Sequence, residues 1–191
     1  MDNDSRARMV RSAASLISSR GVSATSFSDV LEDSGAPRGS IYHHFPDGKK
    51  QLAEDAIRWT SERVLAHQRA CAPVTASDVL GCFIGMWRQV VRSSSGSVGC
   101  VVAGVAIDTT AGEGMIDVVR ATFRSWMALL SEQLEAVGVP AQRAAPIAVA
   151  VLAGMEGALI LCRAEGHSGP LDAVAEELMR LLPPEATGTE Q

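Results

Sequence analysis

Between residues 38 and 50 the chain gathers side chains that hold anions and read hydrogen-bonding edges. Arg38, Ser40, Tyr42, His43 and His44 fall within seven residues, and Lys49 and Lys50 follow directly. An arginine fork, hydroxyls, imidazoles and lysine point charges are the groups that contact phosphate oxygens and base edges of a duplex. Gly39 inside the run lets the backbone come close to its target. Taken singly, each residue reads as solvated surface; the shared setting is what points to DNA. The adjacent His43 and His44 would also suit a metal. Neighbouring helix positions point about 100° apart, however, and His67 and His167 are remote in sequence, so neither a metal nor another cofactor is expected.

A second set of residues lies further along. Phe83, Trp87, Phe123, Trp126, Met127 and Met155 are large side chains that can fill a core or line a pocket for a mostly apolar small molecule, with Met86 beside them. Asp108 and Glu156 are carboxylates in apolar surroundings, either hydrogen-bonded structure or handles for a ligand's polar group. No G-x-S-x-G, H-E-x-x-H or cysteine–histidine motif occurs, which argues against a small helical hydrolase or lyase.

The elements that must hold these residues are helical. Val10, Ala13, Ala14 and Ile17 keep i, i+3, i+4, i+7 spacing, predicting a helix from Ser5 to Arg20 that stops at Gly21. Ser26-Phe27-Ser28-Asp29 has the form of a capping box and opens a short helix ending at Ser34-Gly35. Pro37, suited to a first helical position, starts another over Arg38 to His44, with Ile41 and Phe45 turned inward and Pro46-Asp47-Gly48 as the following turn. Two short helices joined through a glycine turn and braced by a longer one have the anatomy of a helix-turn-helix. Helices follow over Lys49 to Ala70, Val79 to Val91, Ile116 to Val137, Pro140 to Glu165 and Leu171 to Leu182, with a shorter apolar stretch over Val101 to Ile107, a turn at Ala111-Gly112-Glu113-Gly114 and a polar tail at the end.

Aromatic residues make up only 4% of the 191-residue chain, which disfavours many-stranded sandwiches and barrels. Net charge is −5, but residues 5 to 50 hold seven Lys and Arg against four Asp and Glu. A mildly basic front on an acidic body suits an anionic partner at one end. The four cysteines lack metal-ligand spacing and the N-terminus is polar, so reduced thiols and a cytoplasmic protein are expected. Ala144 to Cys162 carries a single charge, Glu156, and has spanning length. Pro146 and the many Ala and Gly residues favour a buried or interface helix over a membrane one.

The stretch from Gly21 to Leu52, with Thr25-Ser26-Phe27, Asp29-Val30, Gly35, Arg38-Gly39-Ser40-Ile41-Tyr42-His43-His44-Phe45 and Lys49, resembles the DNA-binding signature of TetR-like bacterial transcriptional repressors. The resemblance implies an all-helical homodimer, usually of nine helices per chain, with three in a DNA head and the rest in a larger ligand-sensing body. Carried over by position, it makes Thr25, Ser26, Tyr42, His44 and Lys49 phosphate grips and sets Arg38, Gly39, Ser40 and His43 against base edges. Two features depart from the pattern. Pro37 stands where a capping Ser or Thr is common, and the spacing after Phe45 leaves Lys49 or Lys50 to reach phosphate. Residues 1–48 would form the head, 49–185 the ligand-binding and dimerisation body and 186–191 the tail. Double-stranded operator DNA, a small-molecule effector and a second copy are the partners expected, and a membrane is not. A helical lipophile carrier or adaptor using only the body is the rival binding reading.

Overall fold

The computed structural model describes residues 2–94, 96–97, 99–108 and 112–183. Among the described residues there are nine helices and no strand: α1 (Asp2–Arg20), α2 (Phe27–Ser34), α3 (Ser40–His44), α4 (Gly48–Ala70), α5 (Ala76–Ser93), α6 (Val101–Ala106), α7 (Glu113–Ala136), α8 (Ala141–Glu165) and α9 (Gly169–Met179). The architecture is the all-helical head and body expected. Several boundaries differ by a few residues, among them those of α3, α7 and α9. Helix α3 begins at Ser40, not Arg38, because the Ser40 N–H and hydroxyl both donate to the Pro37 carbonyl and close a turn over Pro37, Arg38 and Gly39. Helix α7 begins at Glu113, capped by Gly112, so the expected turn is largely its first turn. Helix α9 stops at Met179, short of Leu182. Ala111, the far end of that turn, and the polar tail lie outside the described residues.

Helix α1 lies across α2, α3 and α4 and also meets α6, so one helix touches both head and body. Its core side, Met9, Val10, Ala13, Ala14 and Ile17, is buried against Val30, Ile41, Phe45 and the first turns of α4. Arg6 ties the start of α1 to Asp55 of α4 at 2.6 Å while its guanidinium sits over the Phe45 ring. In the body α8 packs between α7 and α9. It is apolar and long enough to cross a membrane by length and composition, yet Ala144, Ile147, Ala148, Val151, Leu152, Met155 and Leu159 are buried inside this fold. Gly154 shows why a small residue is needed there: a Cβ would stand 3.3 Å from Leu178 and Val174 of α9.

The expectation of four reduced thiols is corrected. Cys71, at the C-terminal cap of α4, and Cys82, in the second turn of α5, are joined as a disulfide, while Cys100 and Cys162 are free and buried. Spacing could not reveal the pair, because the sharp connection between the two helices is what brings residues 71 and 82 together.

Candidate nucleic-acid interface

The capping box forms as expected. The Asp29 N–H donates to the Ser26 hydroxyl oxygen at 3.2 Å, and the Ser26 N–H donates to the Asp29 carboxylate at 2.7 Å. The Ser26 hydroxyl also donates to that carboxylate at 2.6 Å, and this bond together with the one from the Ser26 backbone holds the Asp29 carboxyl below its usual range. Gly35 ends α2 with φ of 61°, a left-handed conformation that costs glycine little. The chain then turns and enters α3, whose orientation is fixed by Ile41 and Phe45, both 0% exposed. Side chains on the other side of this short helix point outward. Arg38, Gly39 and His43 are exposed, and Tyr42 is 71% exposed with its ring edge-on to Phe27. A Cβ on Gly39 would meet nothing within 4 Å, so the fold itself does not require glycine there.

Other expected contacts are placed differently. Thr25 is buried and its hydroxyl donates to the Gly21 carbonyl at 2.8 Å, so it braces the loop after α1 and its proton is not offered to a phosphate. Ser40 is half-buried and its hydroxyl proton is taken by Pro37. His44 is half-buried, its ring edge-on to both His43 and Phe45. Ser26 stays exposed beside them. The two lysines diverge: Lys49 Nζ donates to the Ser23 carbonyl at 3.1 Å, on the head, whereas Lys50 turns toward Glu54 and the start of α7. Ser23 also receives the body, since its N–H and hydroxyl donate to the Asp108 carboxylate at 3.2 and 2.9 Å. Asp108 is therefore a tether between the end of α6 and the head, not a ligand handle.

Exposed donors on a short helix and the turn before it, seated over a small core and preceded by a capped partner helix, are the geometry of a helix-turn-helix. Residues 10–56 match the domain described as bacterial regulatory proteins, tetR family, and residues 76–177 match the C-terminal domain described as transcriptional regulator LmrA/YxaF-like. The HTH-type transcriptional regulator Rv0196 of Mycobacterium tuberculosis is 39% identical over 183 residues, 93% of each chain. The chain belongs to the TetR family. The HTH-type transcriptional regulator LmrA of Bacillus subtilis is 27% identical over 94% of this chain and 97% of its own. A TetR transcriptional regulator from Chloroflexus aurantiacus has a crystal structure that superposes with a TM-score of 0.75 at 26% identity, over 94% of each chain. The chain is thus a helix-turn-helix transcriptional regulator and not an enzyme. TetR-family regulators bind operator DNA and typically form homodimers.

The body of this TetR-family chain places the expected pocket residues mostly elsewhere. Phe83, Trp126 and Met155 are each 1% exposed and belong to the core, with Phe123 and Met127 packed at its edge. Aromatic contacts run from Phe83 to Trp87 to Trp126 to Phe123, and the Trp126 N–H donates to Ser61 at 3.3 Å. A cavity of about 330 Å³ opens instead where α1 meets the body. Arg11, Ser15 and Ser18 of α1 face Trp59, Arg63 and His67 of α4, Met86 and Trp87 of α5, and Cys100. Trp87 is the expected site residue that does line it. Its indole N–H is buried with no hydrogen-bond partner, and Arg63 stacks over Trp59 at 4.9 Å. Behind Cys100 lies Glu156. Burial raises its carboxyl to about 7, and burial together with the nearby Glu156 charge pushes the Cys100 thiol well up. Sequence reasoning missed the α1 wall, although residues 11, 15 and 18 repeat at helical spacing as a polar stripe beside the apolar one.

Proposed function

We propose that this regulator is a cytoplasmic repressor that grips a near-palindromic operator as a homodimer and lets go when a small, mostly apolar molecule occupies the cavity between α1, α4 and α5. The observation that carries the operator half is the outward row of Arg38, Gly39, Tyr42 and His43 above fully buried Ile41 and Phe45. A helix this short covers few base pairs, and twofold symmetry doubles them. In this reading Arg38 and His43 face base edges, Tyr42, Ser26 and Lys49 act on phosphates, and the turn at Gly39 comes close to the duplex. The outer face of α8 supports the dimer: Val149, Ile160 and Leu161 are exposed, and nothing lies within 4 Å of a Cβ built on Gly157. Helices α8 and α9 of two copies would pack there as a four-helix interface.

The effector half rests on the cavity wall contributed by α1. A ligand wedged against Arg11, Ser15 and Ser18 pushes on the helix that braces α2 and α3, and the unpartnered Trp87 N–H offers one hydrogen bond to an acceptor. The ligand must favour the released arrangement. A coupling of about 1 to 3 kcal/mol gives roughly 5- to 150-fold weaker operator binding. Selection of duplexes from a random library tests the operator half, with an inverted repeat as the expected product and steep loss of affinity with salt. Binding with no preference over bulk competitor at low salt would end this reading.

A further inference from the structure

The α4–α5 junction carries a tie besides the Cys71–Cys82 pair. That tie is buried Gln68, whose side-chain amide donates to the Val79 carbonyl at 3.1 Å and to the Gln133 side-chain oxygen at 2.7 Å. The disulfide links residues only 11 apart in sequence, both half-buried and reachable by a small reagent. Its Cα–Cα distance of 6.4 Å lies within the range a disulfide accepts. His67, one turn earlier on α4 and exposed, brings Nε2 to 4.0 Å from Cys71 Sγ. Ligand atoms of His67, Cys71 and Cys82 lie within 4.8 Å of one another, but the bonded sulfurs leave no thiolate for a cation.

The surroundings give the bond an output. His67 is part of the cavity wall, and the disulfide sits one turn beyond that wall on α4 and one turn before Met86 and Trp87 on α5. Helix α4 runs unbroken from this point back to Lys49 at the head. Disulfides in reducing compartments are characteristically transient and redox-sensing, and an operator-binding protein works in such a compartment.

We infer that Cys71 and Cys82 form a reversible thiol–disulfide switch, oxidised by a hydroperoxide, that sets how firmly the end of α4 holds the cavity. In the reduced protein His67 takes the Cys71 proton. The thiolate attacks the terminal oxygen of the hydroperoxide, the O–O bond breaks, and the leaving alkoxide takes the proton back from His67 to depart as an alcohol, with a sulfenic acid formed on Cys71. The Cys82 thiol then attacks the Cys71 sulfur and gives its proton to the departing hydroxide, so that the S–O bond breaks and water leaves as the S–S bond forms. Two thiols lose two electrons and the peroxide gains them; a small dithiol reverses the change. The cavity part of this inference uses the site of the proposed effector, whereas the thiol chemistry is independent of it.

Full-length protein reduced with dithiothreitol and freed of it, then treated with one equivalent of tert-butyl hydroperoxide, provides the test. Peptide mass spectrometry should find Cys71 joined to Cys82, with Cys100 and Cys162 still thiols, and His67→Ala should slow the bond's formation about tenfold. Hydrogen exchange of the two states should show amides of residues 64–76 at least fivefold faster when reduced, with the change reaching Trp59 to Arg63 and Ser15 to Ser18. Cys71→Ser and Cys82→Ser should abolish any peroxide effect on exchange. Failure to form the bond, or formation at the same rate without His67, would overturn the chemistry. Exchange changes confined to residues 71–82 would make the bond a local clip and overturn the switch. One equivalent of zinc retained by the reduced protein and lost in either serine variant would replace it with a metal site. The wild-type comparison stands even if a variant misfolds, and none of these readouts depends on an operator being known.

Discussion

The outer faces of α3 and α8 are both more than their own folding needs, in opposite ways. Helix α3 spends its buried side on Ile41 alone, helped by Phe45, and exposes Tyr42 and His43. Helix α8 buries a full apolar stripe and still exposes Val149 at 52%, Ile160 at 60% and Leu161 at 49%. Scattered apolar surface is ordinary, but residues 149, 153, 157, 160, 161 and 164 repeat along one side of a helix. A donor-rich face fits a charged, hydrated partner, whereas an apolar face of small residues fits close packing with a second protein surface. In the proposed reading, the contrast separates the face for DNA from the face for a second copy.

The largest effect should come from the core that stands between these faces. Trp126→Ala should lower unfolding free energy by about 3 to 5 kcal/mol in urea titration, because it removes a fully buried indole and its bond to Ser61. A loss confined to effector response would instead return Trp126 to a ligand site. Glu156 should make the body sensitive to pH. Its folded pKa of about 7 lies above the ordinary 4.5, so the folded state binds more protons between those values. Stability should therefore fall as pH rises through that window, by at most about 1.4 kcal/mol per unit, and level off above it. Thermal unfolding of Glu156→Gln should lack this decline, and an identical slope would place the buried proton elsewhere.

The two glycines of α8 sharpen the comparison next. Gly154→Leu should destabilise the single chain by about 1 to 3 kcal/mol, since α9 already fills the space, while Gly157→Leu should leave the chain folded and lower dimerisation in sedimentation. Equal behaviour of the two would move the interface off α8. On the head, Arg38→Ala should cost about 1 to 3 kcal/mol at one base position of each half-site. Lys49→Ala should weaken all duplexes alike and reduce the salt slope by about one. Loss of sequence preference on removing Lys49 would reverse the roles given to the two residues.

Much of this was legible in the chain. Helical spacing located α1 and the long helices of the body, and Ser26 with Asp29 and Gly35 marked the ends of α2, because caps are local and their partners lie within four residues. Local signals failed where distant partners decide. Pro37 looked like a helix start, but Ser40 bonding back to it delayed α3. Asp108 read equally as hydrogen-bonded structure or a ligand handle, because its partner, Ser23, lies 85 residues away. Thr25 carries the right residue type for a phosphate grip, yet burial commits its hydroxyl to Gly21. The cavity was invisible because its walls come from α1, α4, α5 and the entry to α6, and no single periodicity spans them.

Helix α1 serves as a wall of the cavity and as the brace of the head. Hybrid regulators made by joining one protein's residues 1–48 to another's body would therefore inherit a foreign Arg11, Ser15 and Ser18 opposite the native Trp59, Arg63 and Trp87. Such chimeras should keep the operator choice of the donor head yet respond to neither parent's effector. Modular exchange would succeed only if those α1 positions travelled with the body. If the cavity is the effector site, as proposed, the head and body of this chain are not interchangeable parts, and drift in effector preference along α1 would be constrained by the operator that the same helix supports.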